Sequence, residues 1–112
     1  MAARVLCILS LVFIASCSLN KGAFSGTYQM DNGTMVLVQV GDKVTGTYTG
    51  EETGTIEGTV KDGKLSYEWK QPNGEAGRGV FTLSADGKEI SGTWGNGQSE
   101  TDGGTWKGKK IK

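Results

Sequence analysis

From residue 23 onward, apolar and polar side chains alternate in short runs that are separated by glycine-containing segments. Alternation with a period of two places every second side chain on the same face, which is typical of a β-strand with one buried face. The pattern predicts no helix after residue 20. It predicts eight strands, at about 23–30, 34–40, 43–49, 55–61, 64–70, 78–84, 89–95 and 104–111.

Four dipeptides in this pattern indicate tight hairpin turns, because Gly, Asn and Asp accept the positive φ that two-residue turns need. They are Asn32-Gly33, Gly41-Asp42, Asp62-Gly63 and Asp86-Gly87. We expect the resulting registers to place the apolar residues of both strands on one face, which a shift of one residue would destroy. The expected pairs are Met30 with Met35, Tyr28 with Leu37, Leu37 with Gly46, Gln39 with Val44, Gly58 with Tyr67, Val60 with Leu65, Phe81 with Gly92 and Leu83 with Ile90.

Eight sequential antiparallel strands with one apolar face predict an all-β fold, an up-and-down barrel whose closure removes exposed strand edges. A two-sheet sandwich is the alternative. The two ends of such a barrel differ. One end has the turns at 41–42, 62–63 and 85–88, and the other has 31–34 and the longer loops 50–54, 71–77 and 96–103.

The N-terminal segment has the features of a secretory signal. Arg4 supplies a positive charge, and the apolar run 5–15 is shorter than the roughly 20 residues of a membrane-spanning helix. The run ends in Ile14-Ala15-Ser16-Cys17, which resembles the bacterial lipobox. The resemblance implies a lipoprotein with a signal peptide at 1–16, acylation (palmitate and related chains) at Cys17 and a lipidated tether at 17–22. The strand pattern places the β-barrel domain at 23–112.

This interpretation predicts a lipid-anchored protein of the bacterial cell envelope. Two or more acyl chains hold a protein stably on a membrane. In lipoproteins of two-membraned bacteria an Asp after the Cys favours retention at the inner membrane, and Ser18 stands there. We therefore expect the outer membrane if the organism is Gram-negative. An ordinary signal peptide that happens to end near a cysteine is the alternative.

Composition narrows the possible chemistry. The 112 residues include two cysteines and no histidine. Cys7 would leave with the signal peptide, so we expect no disulfide. The absence of histidine excludes a Ser-His or Cys-His nucleophile and the commonest metal ligand. We predict no catalytic residue, no metal and no cofactor. Loss of Arg4 would leave 11 basic and 12 acidic side chains, which argues against nucleic acid.

Several outer positions allow two interpretations. The stripe Val36, Val38 and Val40 suits a homo-oligomer or partner surface, or is ordinary strand valine. Glu57 and Glu68 fall opposite each other, as in a retaining glycosidase, but nothing around them predicts a cleft. The basic tail 107–112 either contacts anionic headgroups or is solvated.

We expect the inward Gln39 to be structural, and the loop residues Glu51 and Glu52 to be solvated or to assist cation binding.

Two stretches resemble the avidin and streptavidin family of calycin-type barrels: FSGTYQMDNGTMVLVQVGDKVTGTYTG and YEWKQ. The resemblance implies that Thr34 is a hydroxyl donor to a ligand, that Tyr48 contacts a ureido oxygen, and that Trp69 and Trp94 are ring walls. The sequence departs from the family at Met30, where Asn is expected, at Gly50, where Ser is expected, and in the last strand, which has no Asp. A ligand other than biotin, or none, is therefore expected.

The candidate ligand-binding residues are Thr34, Tyr48, Trp69, Trp94 and Trp106. The aromatic rings either stack on a flat or apolar ligand or simply fill the barrel. We predict a non-enzymatic protein that binds a small molecule at the loop-rich end. One alternative is a protein-partner module such as a lysozyme inhibitor, whose inhibitory loop the segment 83–89 faintly resembles. The other is a structural surface lipoprotein without a ligand.

Overall fold

The computed structural model describes residues 22–112, which form a closed antiparallel β-barrel. Each strand pairs with its neighbours in sequence, and β8 returns to pair with β1. The predicted all-β barrel is therefore confirmed and the sandwich is wrong. The predicted signal peptide, Cys17 and the tether before Gly22 lie outside the described residues. The strands are β1 Gly26–Met30, β2 Gly33–Val40, β3 Lys43–Gly50, β4 Gly54–Lys61, β5 Lys64–Lys70, β6 Ala76–Leu83, β7 Glu89–Asn96 and β8 Gly104–Lys110.

Three of the four expected registers are confirmed. Leu37 pairs with Gly46, Gly58 with Tyr67, and Phe81 with Gly92. Since alternate residues face opposite sides of a strand, these pairs place the apolar residues of all three hairpins inside the barrel.

The first hairpin differs from its prediction. Its turn residues are Asp31 and Asn32 rather than Asn32 and Gly33, so Met30 pairs with Gly33, and Met35 takes the place opposite Tyr28. Gly33 belongs to β2, where φ is 152° and a Cβ would overlap the Thr49 carbonyl oxygen of β3. The close approach of β2 to β3 therefore needs this glycine within the strand. The register of β1 on β2 is shifted by two residues from the prediction. Since side chains alternate with a period of two, the same faces of both strands stay buried.

We call the end with the connections 41–42, 62–63 and 84–88 the base, and the end with 31–32, 51–53, 71–75 and 97–103 the mouth. Strand β1 begins at Gly26, later than predicted, because residues 22–25 turn across the base. The Ser25 amide donates to the Gly22 carbonyl (3.0 Å). Phe24 is only 2% exposed, and its carbonyl accepts a bond from the Tyr28 hydroxyl (2.8 Å).

Gln39 fixes this turn in place, as a structural role predicts. Its buried amide oxygen accepts from the Phe24 amide (3.1 Å), and its Nε2 donates to the Gly41 carbonyl (2.9 Å). Its own backbone amide donates to the Ser25 hydroxyl (2.8 Å). The base is therefore closed by a buried aromatic side chain whose polar backbone groups are paired.

The barrel interior is packed with side chains from every strand. Tyr67 and Phe81 stack at its centre with ring centroids 4.7 Å apart. Burial of such side chains supplies most of the favourable free energy of folding. The buried apolar residues are Phe24, Tyr28, Met30, Met35, Leu37, Val44, Tyr48, Ile56, Leu65, Tyr67, Trp69, Phe81, Ile90 and Trp106.

The outer wall of the barrel consists mainly of Thr, Ser, Lys and Glu side chains. Within residues 22–112, the structure contains no helix with the length and apolar character that membrane crossing requires.

Candidate ligand-binding site

The mouth of the barrel contains a recess of about 100 Å³ that is lined mainly by aromatic side chains. Four of the five predicted site residues come together there: Tyr48, Trp69, Trp94 and Trp106. Thr34 is not among its lining residues. It alternates with the buried Met35 on β2 and therefore lies on the outer wall. Its hydroxyl is thus not at the recess, where the avidin resemblance implies a donor to a ligand. The complete lining is Asp31, Asn32, Tyr48, Trp69, Trp94, Thr105 and Trp106.

Each of the four aromatic residues lies opposite a glycine on a neighbouring strand. Tyr48 lies opposite Gly54, and Trp69 lies opposite Gly77. A Cβ at Gly54 would overlap the Tyr48 hydroxyl, and one at Gly77 would lie 2.8 Å from the Trp69 ring. Trp94 and Trp106 also pair with glycines, Gly79 and Gly92. The glycines opposite Tyr48 and Trp69 thus leave the space that these two side chains occupy.

Hydrogen bonds fix the orientation of two indoles. The Trp69 Nε1–H donates to the Gly95 carbonyl (3.0 Å), and the Trp106 Nε1–H donates to Asn32 Oδ1 (2.9 Å). Both indole donors are therefore already paired within the protein. Neither is available to a ligand in this arrangement.

The Tyr48 hydroxyl has a polar partner in Gln71, which is not among the lining residues of the recess. Its oxygen accepts a bond from Gln71 Nε2 (3.0 Å), which leaves its proton free to donate elsewhere. The Gln71 amide oxygen is buried and has no hydrogen-bond partner within residues 22–112. Burial raises the pKa of Tyr48, the Gln71 bond opposes this rise, and the negative charges of Glu52 and Glu75 add to it.

The four rings form two perpendicular pairs. Tyr48 and Trp106 have centroids 5.1 Å apart and planes at 85°, and Trp69 and Trp94 have centroids 5.8 Å apart and planes at 81°. In an edge-to-face pair only one ring turns its face to the partner, so faces of the other ring remain for further contacts. Trp94 is partly buried, whereas the other three rings are almost fully buried. The rings are thus both the roof of the core and the wall of the recess.

The loops around the recess are ordered by their own hydrogen bonds. In the longest, 97–103, the Asp102 carboxylate accepts from the Asn96 amide (2.8 Å), and the Gly103 amide donates to the Trp94 carbonyl (2.9 Å). The Glu51 amide donates to the Asn32 carbonyl (3.1 Å) and so joins two connections. A preformed site loses less conformational entropy when a ligand binds.

The size of the recess limits what can enter it. Pockets for whole small molecules usually measure about 300–1,000 Å³. A volume of about 100 Å³ suits one compact group, with the remainder of the ligand outside among the loops.

Three lining residues were not predicted: Asp31, Asn32 and Thr105. Asn32 was interpreted as a turn residue only. Its contact with Trp106 spans 74 positions and depends on the barrel closing between β1 and β8. No local signal in the sequence shows this contact.

The other sequence candidates lie elsewhere. Glu57 and Glu68 are opposite each other on the outer wall, as expected. The Arg78 Nη2 atom lies 3.9 Å from Glu68 Oε2. The Val36, Val38 and Val40 stripe is exposed on β2. Within the described part of the chain, no three His, Cys, Asp or Glu residues group as metal ligands.

The segment 83–89 forms a connection at the base. The Ser84 hydroxyl bonds to the Asp86 carboxylate (2.7 Å), which also accepts from the Lys88 amide (3.0 Å). The Lys88 amide and the Ser84 hydroxyl lower the pKa of Asp86. The polar groups of this loop therefore bond to one another.

Comparisons with protein-family models, with curated proteins and with solved structures find no match for this chain. The closed eight-stranded antiparallel barrel is consistent with a calycin-type fold.

Proposed function

We propose that this chain is a non-enzymatic, lipid-anchored protein of the bacterial cell envelope whose barrel binds a small molecule in the aromatic recess at its mouth. The observation that carries the proposal is the convergence of Tyr48 and all three tryptophans of the sequence on one recess. Aromatic rings with a few polar neighbours are the usual lining of small-molecule sites.

Chain direction supports the lipid anchor. Gly22 lies at the base, where its amide donates to the Gln39 carbonyl (3.4 Å). The five residues from Cys17 to Gly22 span at most about 18 Å. An acylated Cys17 would thus hold the base close to the membrane and leave the mouth facing away from it.

The C-terminal tail supports the same orientation. The Thr27 amide donates to the Lys112 carbonyl (2.8 Å), and the Lys110 ammonium donates to the Ala23 carbonyl (3.1 Å) and lies 5.6 Å from the centre of the Tyr28 ring. Both lysines are therefore at the base. Each basic residue near an anionic surface adds about 1 kcal/mol to membrane binding.

The ligand proposal is tested by tryptophan fluorescence. Since every tryptophan lines the recess, a ligand that enters it must change the emission of the folded protein. A panel of apolar, aromatic, cationic and sugar-like compounds should contain at least one that shifts emission saturably, and Trp94→Phe should weaken that response. A matched change on the outer wall, Val38→Ser, should leave it unaltered. A flat response to the whole panel would contradict the proposal.

The anchor is tested by fractionation and fatty-acid labelling in a bacterial host. Cys17→Ala should abolish labelling and move the protein out of the membrane fraction. Cys7→Ala is the matched control, since Cys7 lies within the proposed signal peptide, and it should leave labelling unchanged. Equal labelling of both variants would contradict lipidation at Cys17.

A protein-partner role is the second candidate, favoured by the exposed valine stripe on β2, where Val40 is 72% exposed. The same stripe is the proposed homo-oligomer surface. Sedimentation of the fragment 18–112 should show self-association that Val38→Lys abolishes. A monomer at all concentrations, with no stoichiometric partner captured by that fragment, would leave the small-molecule role alone.

A further inference from the structure

The recess at the mouth has a chemistry that favours one class of ligand. Asp31 is the charged residue of its lining, and it is a carboxylate. The remaining lining is four aromatic rings, one amide and one hydroxyl. Aromatic faces carry partial negative charge and attract cations within about 6 Å of the ring centre. A lining of aromatic rings and one carboxylate therefore favours a positively charged group.

The connections around the recess carry a single sign of charge. The four mouth connections, 31–32, 51–53, 71–75 and 97–103, contain six carboxylates and no Lys or Arg, in a chain whose net charge is zero. The carboxylates are Asp31, Glu51, Glu52, Glu75, Glu100 and Asp102. Asp31 lines the recess, whereas Glu100 lines a groove on the outer wall with Glu68 and Arg78. A surplus of one sign of charge at one end of a protein raises the local concentration of the opposite ion there. Lys110 and Lys112 lie at the base, at the other end of the barrel. Lys107 and Lys109 line a groove on the outer wall that also includes Asp31.

Hydrogen bonds within the protein reduce the number of N–H donors that the recess offers. Trp69 and Trp106 already donate to Gly95 and Asn32, so the recess offers neither N–H to an anion or to a ureido oxygen. A primary ammonium group would lose up to three hydrogen bonds to water on entering such a site. A quaternary ammonium group has no N–H to satisfy and contacts rings through its methyl groups.

The volume agrees with a head group of this size. An apolar cavity of 150 Å³ can hold benzene. The recess, at about 100 Å³, suits a trimethylammonium group whose substituent extends outward among the loops.

We propose that the recess binds a quaternary ammonium head group of the choline type, with Asp31 as its counter-ion and the four aromatic rings as its cage. The inference rests on the proposed small-molecule function and specifies its ligand class.

The test is a fluorescence titration of the purified full chain in a maltoside detergent at constant ionic strength. The probes are choline chloride and its uncharged carbon isostere, 3,3-dimethylbutan-1-ol. Cation–π attraction at a partly desolvated site gives about a tenfold difference in affinity. Choline should therefore bind at least about tenfold more tightly than the alcohol. Binding of choline should also weaken as salt is raised, because exposed carboxylates are screened.

A matched pair of variants tests the counter-ion. Asp31→Asn, at an exposed turn of the mouth, should weaken choline binding about fivefold and reduce its salt dependence. Asp42→Asn, at an exposed turn of the base, should change neither. Both changes keep the size of the side chain. Asp31→Asn also keeps the backbone hydrogen bond from the residue 31 amide to the Lys107 carbonyl.

The outcomes separate this inference from the proposed function. Equal binding of choline and the alcohol would overturn the cation inference while supporting a small-molecule recess. Failure of both probes, with a response to another compound of the panel, would overturn the ligand class alone. Equal loss in Asp31→Asn and Asp42→Asn would overturn the assignment of Asp31.

Discussion

Replacing Phe24 by alanine should destabilise the barrel more than its position outside any strand implies. Phe24 lies in the turn 22–25 and is only 2% exposed, beneath the base of the core. Truncation of a buried Phe to Ala typically costs about 3–5 kcal/mol, the sum of lost burial and a remaining cavity. Since domains of this size are stable by roughly 5–15 kcal/mol, the variant loses a large share of its stability.

Urea denaturation of the fragment 18–112 measures this loss in the free energy of unfolding. Calorimetry of the same fragment should show the midpoint of thermal unfolding lowered by at least about 12 °C. Phe24→Leu keeps most of the apolar volume and should cost about 1 kcal/mol. The matched control is Ile111→Ala at the same end, where the side chain is 56% exposed and the change should cost less than about 0.5 kcal/mol. A loss below about 1 kcal/mol for Phe24→Ala would refute the reasoning that this residue closes the base.

Three further changes test other parts of the structure. Burial raises the pKa of Tyr28 to about 12 and also raises the pKa of Tyr67 above its ordinary value of 10.0. The contribution of these two tyrosines to the free energy of unfolding should therefore be constant below pH 10 and fall as pH rises toward 12. Tyr28→Phe should reduce this fall in pH-dependent urea titrations, and an unchanged fall would contradict the burial of its hydroxyl. Gly79→Ala should cost about 1–3 kcal/mol in the same assay, because a Cβ there overlaps the Tyr67 hydroxyl; stability equal to the original would contradict the packing. Arg78→Ala should cost less than about 1 kcal/mol, because the ion pair with Glu68 is exposed, and a larger loss would show a role for it beyond this contact.

The strand pattern was predictable because each side chain's face depends only on its phase in the alternation. Leu37 opposite Gly46 and Phe81 opposite Gly92 followed from the turns at 41–42 and 86–87. The predicted register of the first hairpin was wrong because an Asn-Gly pair is a strong local turn signal, whereas the close approach of β2 and β3 at Gly33 is a tertiary requirement. Tertiary packing overrides local preference there.

The predicted first residue of β1 was wrong for a different reason. Phe24 shares its phase with Tyr28, so the pattern correctly predicts that it is buried. A continuing strand and a turn that folds inward bury the same residue, and alternation cannot distinguish them. Gln39, whose amide stabilises the turn, contacts Phe24 across 15 positions.

The candidate site was predictable in its aromatic half only. Inward phase near the mouth identified Tyr48 and the tryptophans, whereas the family resemblance placed Thr34 with them although its phase is outward. Asp31 and Asn32 belong to the recess because the barrel closes between β1 and β8, and the corrected turn brings them there.

The proposed binding recess is tested most directly by the indole ¹H–¹⁵N resonances of the folded protein. The sequence has three tryptophans, and all three line the recess, so every indole signal in the spectrum reports on the site. On addition of choline, the account predicts saturable shifts of the Trp94 and Trp106 indole signals, with the backbone amide of Phe24 at the base unchanged. Shifts confined to the base or to the outer wall at Val38, with constant indole signals, would contradict it.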